Sequence, residues 1–184
     1  VFGHPAIHVQ EGNFKTSIEN MFIDVGVTSD KDVELLNIEI GNPIVINGDF
    51  LEMNNYYVGR SLDDKIGGYI NVEVAKQIAN LNLSYRLVIV NSVQEEVGIY
   101  GAKMAAHKIK PDEAIVFDVT HCTKTPAYDN KKLGSTESGK GPVIVTAPSI
   151  HKESFNAIKY VAQKNEIPYQ IETKGRGTGT NADS

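Results

Sequence analysis

The chain has 184 residues, of which 41% are hydrophobic and 22% are charged, and its formal net charge is -5. This composition is ordinary for a globular protein, and the length suits one or two domains with a hydrophobic core. The acidic balance argues against nucleic acid or a membrane surface as a partner, because both require clustered Lys and Arg. No apolar run is long enough to cross a bilayer.

The start of the sequence and its single cysteine both give information on the cellular compartment in which the protein works. The first residues have neither the basic segment nor the apolar segment of a signal peptide. They also lack an initial Met, so we expect further residues upstream. Cys122 is the only cysteine, which excludes an internal disulfide and suits a reducing cytoplasm. We interpret Cys122 as a small structural residue, since a catalytic thiol needs an electropositive setting.

The first part of the chain has a β-rich pattern. Short runs of strand-forming residues lie at 21–25, 37–40 and 43–46, and turn residues separate the last two. Between the first two runs, Ser29 and Asp32 form a capping-box pattern that predicts a short helix. We therefore predict a small β-rich domain over residues 1–59 and a second domain over residues 60–184.

Helices and strands alternate in the second domain. Apolar spacing predicts helices at 64–79, 100–108 and 154–164. Continuous apolar runs predict buried strands at 87–90, 114–117 and 142–145, followed by a last short strand at 169–171. This alternation predicts an α/β fold with a mostly parallel sheet that helices cover on both faces. In such folds ligands bind beyond the carboxyl ends of the strands.

Acidic residues follow the predicted strands or open a helix at three places. Asp118 comes directly after the run at 114–117, and Glu95 and Glu96 follow the run at 87–90 after a short polar bend. Asp63 and Asp64 open the helix at 64–79. Three separate connections would thus bring carboxylates to one rim of the sheet. A bound divalent cation is the usual remedy for such gathered negative charge.

Each acidic group also has a structural interpretation. Asp63 or Asp64 would serve equally well as a helix N-cap. The Glu95–Glu96 pair taken alone is typical of a solvated surface. Asp118 is a stronger indication, because a charge directly after a buried run is costly without a partner. The three groups together favour a functional site, although their spacing does not identify an enzyme.

The acidic residues stand within three short motifs: Asp63-Asp64-Lys65-Ile66-Gly67, Glu95-Glu96-Val97-Gly98 and Phe117-Asp118-Val119-Thr120. Residues 22–26, 140–144 and 177–182 supply further matches. In this order the motifs resemble those of the tetrahedral aminopeptidases, two-metal enzymes also called glutamyl or deblocking aminopeptidases, some of whose relatives have been labelled endoglucanases. The resemblance covers nearly the whole chain.

The resemblance implies a role for each acid. Asp63 would bridge two divalent metal ions, and Asp64 would support it through a cis peptide bond. Glu96 would bind one metal and Asp118 the other, while Glu95 would be the general base. Zinc or cobalt would suit ligands of mixed His and carboxylate type. The implied activity is hydrolysis of the N-terminal peptide bond of peptides through a metal-bridging water.

The resemblance also implies an assembly and reveals two departures. In the family the early β-rich unit is a PDZ-like insert that drives assembly into tetrahedral dodecamers, so we expect a homo-oligomer. The family's two histidine ligands have no match, and we expect the histidines present to be structural or surface residues: His4, His8, His107, His121 and His151. Asn181 stands where the family more often has Asp. We expect the sequence to be part of a longer protein, and its motifs do not define the preferred N-terminal residue.

Three other functions stay open from the sequence. A two-metal deacylase or other amidohydrolase could use the same architecture. A glycosidase needs two carboxyls roughly 5 to 9.5 Å apart, but the chain has no Trp for a sugar platform. A nucleotide-binding module could use the glycine-rich run at 175–180. A phosphate loop should lead into a helix, however, with a Lys or further Gly at fixed offsets.

Overall fold

The computed structural model describes residues 2–3, 17–126 and 128–184. The chain divides into two compact units, Val1–Gly48 and Asp49–Ser184. The segment between Gly48 and residue 59 thus groups with the second unit, whereas the sequence pattern placed it with the first. That the first unit serves assembly remains a prediction.

The described residues of the first unit form two short strands and one helix. Strand β1 (Phe2–Gly3) pairs antiparallel with β2 (Phe22–Ile23), and a 3-10 turn at Ile18–Asn20 precedes β2. Helix α1 (Asp30–Leu35) begins after Ser29, whose hydroxyl oxygen accepts a hydrogen bond from the Asp32 N–H at 3.3 Å. The same hydroxyl donates to the Asp32 carboxylate at 2.7 Å. The predicted N-terminal cap is therefore confirmed.

Two predicted strands of the first unit are absent. Residues 37–40 and 43–46 lie within the described part of the chain and form no strand. Their apolar side chains remain in solvent; Val45, for example, is 74% exposed. Strand-forming residues become a strand only where a neighbour takes their backbone hydrogen bonds and covers their side chains. Neither condition is met here.

The second unit opens with a hairpin. Strands β3 (Leu51–Met53) and β4 (Tyr56–Val58) pair antiparallel, and the ring of Phe50 stacks on Tyr57 with 5.4 Å between centroids. Two helices follow, α2 (Leu62–Ile78) and α3 (Tyr100–Ile109). Both helices match the predicted segments to within about two residues.

A strand–helix–strand unit forms the best-packed part of the second unit. After the short helix α4 (Asn130–Leu133), strand β5 (Val143–Thr146) leads through α5 (Lys152–Lys164) into β6 (Gln170–Thr173). Strands β5 and β6 pair in parallel, which requires such a crossover. Helix α5 packs on β5, and Ile144 and Ala162 are buried between them. The predicted strands and helix in this region are confirmed.

The two other predicted buried strands are not formed. Residues 87–90 and 114–117 have no strand hydrogen bonds in the structure, although all eight are described. Leu87, Val88, Ile89 and Val90 are 46%, 38%, 42% and 39% exposed. The described residues thus do not provide the burial that stabilises such apolar runs as strands. Among the described residues, no helix has the length and apolar character needed to cross a membrane.

Candidate active site

Asp63 and Asp64 lie in the first turn of α2. Their backbone angles are not helical, and the peptide bond between them is cis, as the resemblance implied. The regular helix begins only after them. The Asp64 carboxylate accepts a hydrogen bond from the Gly67 N–H at 2.8 Å. Asp64 therefore performs the capping that the structural interpretation proposed, and its neighbour Asp63 precedes the regular helix.

Glu95 and Glu96 lie in a tight turn before α3. The Glu95 carbonyl oxygen accepts hydrogen bonds from the N–H groups of Gly98 at 3.2 Å and Ile99 at 3.0 Å. The Gly101 N–H bonds to the Val93 carbonyl oxygen at 3.0 Å. A Cβ at Gly101 would collide with this same backbone, so only glycine allows the start of α3 to lie against the segment before Glu95. The segment 92–98, which we call the Glu95 loop, is therefore fixed from the side of α3.

Asp118 follows residues 114–117, which form no strand although the sequence predicted one. One of its carboxylate oxygens accepts a hydrogen bond from the Val119 N–H at 2.8 Å. Two residues further on, the Thr120 hydroxyl donates to the Glu172 carboxylate of β6 at 3.1 Å. This second contact connects the Asp118 segment to the parallel strand pair.

The charges of these acids act on one another. Partial removal from water is the main cause that raises the pKa of Glu95, and the negative charges of four other carboxylates raise it further: Asp118, Glu96, Asp63 and Asp64. Desolvation likewise raises the pKa of Asp118, with the Val119 hydrogen bond opposing and the charges of Asp64, Asp63 and Glu96 adding to the rise. The three connections therefore bring five carboxylates into one electrostatic neighbourhood.

The five carboxylates fit a cation in donor type and charge. No ion pair among the described residues involves any of them, and oxygen donors with uncompensated negative charge attract divalent cations. Their present separation is less favourable, since no three His, Cys, Asp or Glu side chains in the described ranges are gathered closely enough to hold an ion. The metal roles of Asp63, Glu96 and Asp118 thus remain predictions.

The described histidines have other surroundings. The His121 ring lies against Tyr128, with 5.3 Å between ring centroids, and His151 pairs with the Ser154 hydroxyl at 2.9 Å. His107 lies in the last turn of α3. His4 and His8 lie outside the described residues.

The glycine-rich run at 175–180 donates backbone hydrogen bonds to the carboxylate of Asp183. Asp183 accepts hydrogen bonds from the backbone N–H groups of Thr178 at 2.9 Å and Gly179 at 2.8 Å, and from the Ser149 hydroxyl at 3.0 Å. These hydrogen bonds, that of Thr178 first, lower the pKa of Asp183 although desolvation opposes them. A phosphate would need the same N–H groups. This arrangement argues against the nucleotide-binding alternative.

One contact near the acids was not predicted from the sequence. The Asn181 side-chain amide donates a hydrogen bond to the Ser92 hydroxyl at 3.0 Å, across 89 residues of sequence. In the sequence, Asn181 is a departure from the family motif and Ser92 is part of a polar bend. No sequence periodicity joins two such distant positions.

The fold is that of an α/β protein, and three separate connections supply the five carboxylates described above. The sequence profile of the M42 glutamyl aminopeptidase family matches residues 1–184. The chain therefore belongs to this family.

Individual relatives agree with the family match. The lysyl aminopeptidase of Pyrococcus furiosus is 34% identical over 169 residues, covering 91% of this chain and 47% of the relative. A TET aminopeptidase structure from Thaumarchaeota archaeon SCGC AB-539-E09 has a TM-score of 0.87 at 27% identity and covers 98% of this chain and 53% of that one. The Pyrococcus horikoshii TET1 peptidase has a TM-score of 0.77 at 27% identity, with 97% and 53% covered. These structures confirm the α/β class. The chain spans about half the length of the curated relatives it matches.

Proposed function

We propose that the protein is a metal-dependent aminopeptidase that hydrolyses the N-terminal peptide bond of peptides. One observation carries the proposal: the acids of the three family motifs lie in one electrostatic neighbourhood in a chain that belongs to the M42 family. The lysyl aminopeptidase relative supports the same activity.

In this proposal Glu95 transfers a proton, and Asp64 supports the backbone at Asp63. Glu95 takes a proton from the attacking water and delivers it to the departing amine, acting first as general base and then as general acid. Asp64 keeps its carboxylate on the Gly67 N–H and so fixes the backbone that carries Asp63.

Asp63, Glu96 and Asp118 would hold two divalent cations, zinc or cobalt, together with ligands outside the described residues. When bound, such ions lower the pKa of a water towards about 7 and polarise the substrate carbonyl. None of the described histidines stands in the sequence motifs that carry the family's histidine ligands. Mixed His and carboxylate ligation is the reason to propose zinc or cobalt over magnesium.

A substrate panel on the full-length protein tests the activity. We expect release of the anilide from leucine, glutamate or lysine anilides, loss of this release after chelation, and recovery with added zinc or cobalt. Each anilide should also be offered with an acylated N-terminus. Cleavage of the acylated forms alone would favour the deacylase alternative, and metal-independent cleavage of a glycoside would favour the glycosidase.

We further propose that the protein is a cytoplasmic homo-oligomer with a mostly parallel sheet and a PDZ-like insert that mediates assembly. The Pyrococcus horikoshii peptidase assembles into a tetrahedron or an octahedral shell, which supports a high-order assembly. The compact unit ending at Gly48 carries none of the proposed catalytic acids. Its removal should lower the oligomer mass measured by light scattering, and an unchanged high-order mass would contradict the assembly role.

A further inference from the structure

The contact between Asn181 and Ser92 reaches the segment that carries the proposed general base. Ser92 lies three residues before Glu95, and the amide of Asn181 donates to its hydroxyl at 3.0 Å. Both residues are partly shielded from solvent. The Gly101 N–H donates a second hydrogen bond to this segment, to the Val93 carbonyl oxygen. The Glu95 loop is therefore held by two contacts, one with the first turn of α3 and one with the side chain of Asn181.

Asn181 is itself placed by a rigid turn. It begins the 3-10 turn Asn181–Asp183, and the Thr180 hydroxyl oxygen accepts the Ala182 N–H at 3.2 Å. Asp183 closes the preceding glycine-rich run through three hydrogen bonds, as described above. A Cβ at Gly177 would come within 2.6 Å of the Asp183 carboxylate, so this closure also depends on glycine. The turn thus presents the Asn181 amide in a fixed direction.

The side-chain amide of Asn181 has a second polar group. Its carbonyl oxygen is buried and has no hydrogen-bond partner among the described residues. A buried acceptor without a donor is destabilising, and native proteins contain few of them. Among the described residues, the hydrogen bond to Ser92 is thus the one that the Asn181 side-chain amide makes.

We infer that Asn181 is a positioning residue that fixes the Glu95 loop through the Ser92 hydroxyl. This inference rests on the proposed aminopeptidase function, in which Glu95 moves the proton. A general base contributes only when it lies within hydrogen-bond reach of the proton it takes. Loss of the contact should therefore lower kcat, while KM should change little because neither residue is placed against the substrate.

The test uses four variants of the full-length protein: Ser92→Ala, Asn181→Ala, their double variant, and Ser92→Thr, which keeps the hydroxyl. Each alanine variant should lower kcat by about 10–100-fold, as is typical for residues that orient a metal-site group. The double variant should lose no more than the worse single variant, because both remove the same contact. Ser92→Thr should retain most of the wild-type kcat. The melting temperature should be retained in all four, and kcat should be measured with zinc in excess, because the proposed metal ligand Glu96 lies in the same loop.

Hydrogen exchange makes the test independent of activity. The amides of Gly98, Ile99 and Gly101 are hydrogen-bonded within or beside the Glu95 loop, so both alanine variants should exchange them faster while β5 and β6 stay protected. Unchanged exchange, or losses of kcat that multiply in the double variant, would overturn the inference. A wild-type protein without aminopeptidase activity would overturn the proposed function instead, and the exchange rates would still decide whether Asn181 holds the loop.

Discussion

The Asp64 carboxylate and the Gly67 N–H are joined by a hydrogen bond of 2.8 Å that closes the first regular turn of α2. Gly67 is buried, and a Cβ at this position would collide with that carboxylate. The glycine of the Asp-Asp-Lys-x-Gly motif therefore has a steric function. It leaves room for Asp64 to cap the helix next to Asp63.

This hydrogen bond predicts that replacement by Ala has opposite effects on folding stability at two adjacent glycines, Gly67 and Gly68. Replacing Gly by Ala inside a helix normally stabilises by about 0.5–1 kcal/mol. At Gly68 the added Cβ would meet only the Asn91 side chain, at 3.9 Å, so Gly68→Ala should show this ordinary gain. Gly67→Ala should instead destabilise by about 1–3 kcal/mol, because the side chain of Asp64 must move.

The free energy of unfolding in urea measures both substitutions. The pair is matched, since the two glycines are neighbours in one helix and receive the same methyl group. A stabilised Gly67→Ala variant would show that Asp64 does not need this space.

The sequence was most informative where structure is decided locally. The Ser29 cap of α1, the helices α2, α3 and α5, and the β5–α5–β6 crossover all follow from short-range pattern. The apolar runs at 87–90 and 114–117 predict strands that the structure does not form, because a strand depends on a neighbour whose position no local pattern gives. The contact between Asn181 and Ser92 was out of reach for the same reason, because it depends on how distant turns pack.

Substitutions at the two adjacent glutamates should separate catalysis from metal binding. In the full-length protein, Glu95→Gln keeps the side-chain shape and removes the basic oxygen, so kcat should fall by about 10²–10⁴-fold with metal content unchanged. Glu96→Gln, the matched control, should lose bound metal as well as activity, because an amide is a weaker ligand than a carboxylate. Anilide hydrolysis and elemental analysis of dialysed protein measure both effects. Near-normal turnover by Glu95→Gln would exclude Glu95 as the base.

Asp183 should make stability depend on pH in the acidic range. Its pKa is lowered in the folded chain, chiefly by the Thr178 N–H hydrogen bond. A lowered pKa means that the unfolded chain binds the proton more readily. The stabilisation is therefore present above the unfolded value of about 3.9 and is lost as pH falls through the lower folded value.

The Asp183→Asn variant tests this pH dependence. It should be less stable than wild type at pH 7, and the difference should shrink as pH falls below about 4. Urea unfolding at a series of pH values measures the difference. Asp112→Asn, which removes one exposed negative charge, controls for the change in net charge. A deficit of equal size at neutral and acidic pH would contradict the role of the carboxylate.

The last prediction concerns metal binding by the 184 residues alone. Asp63, Glu96 and Asp118 would offer two cations only carboxylates and water, since no group of three His, Cys, Asp or Glu side chains among the described residues is gathered to hold an ion. Zinc normally takes His or Cys among three or four protein ligands, and carboxylate sites favour harder ions.

The 184-residue chain should therefore bind two zinc ions poorly and should not cleave leucine or glutamate anilides. A longer protein that extends this sequence on both sides should regain metal binding and activity. Metal analysis after dialysis, with anilide assays on both proteins, measures the difference. Two tightly held zinc ions in the short chain would show that one of its own histidines is a ligand. The first candidate would be His121, which lies three residues after Asp118, and His121→Ala should then release one ion.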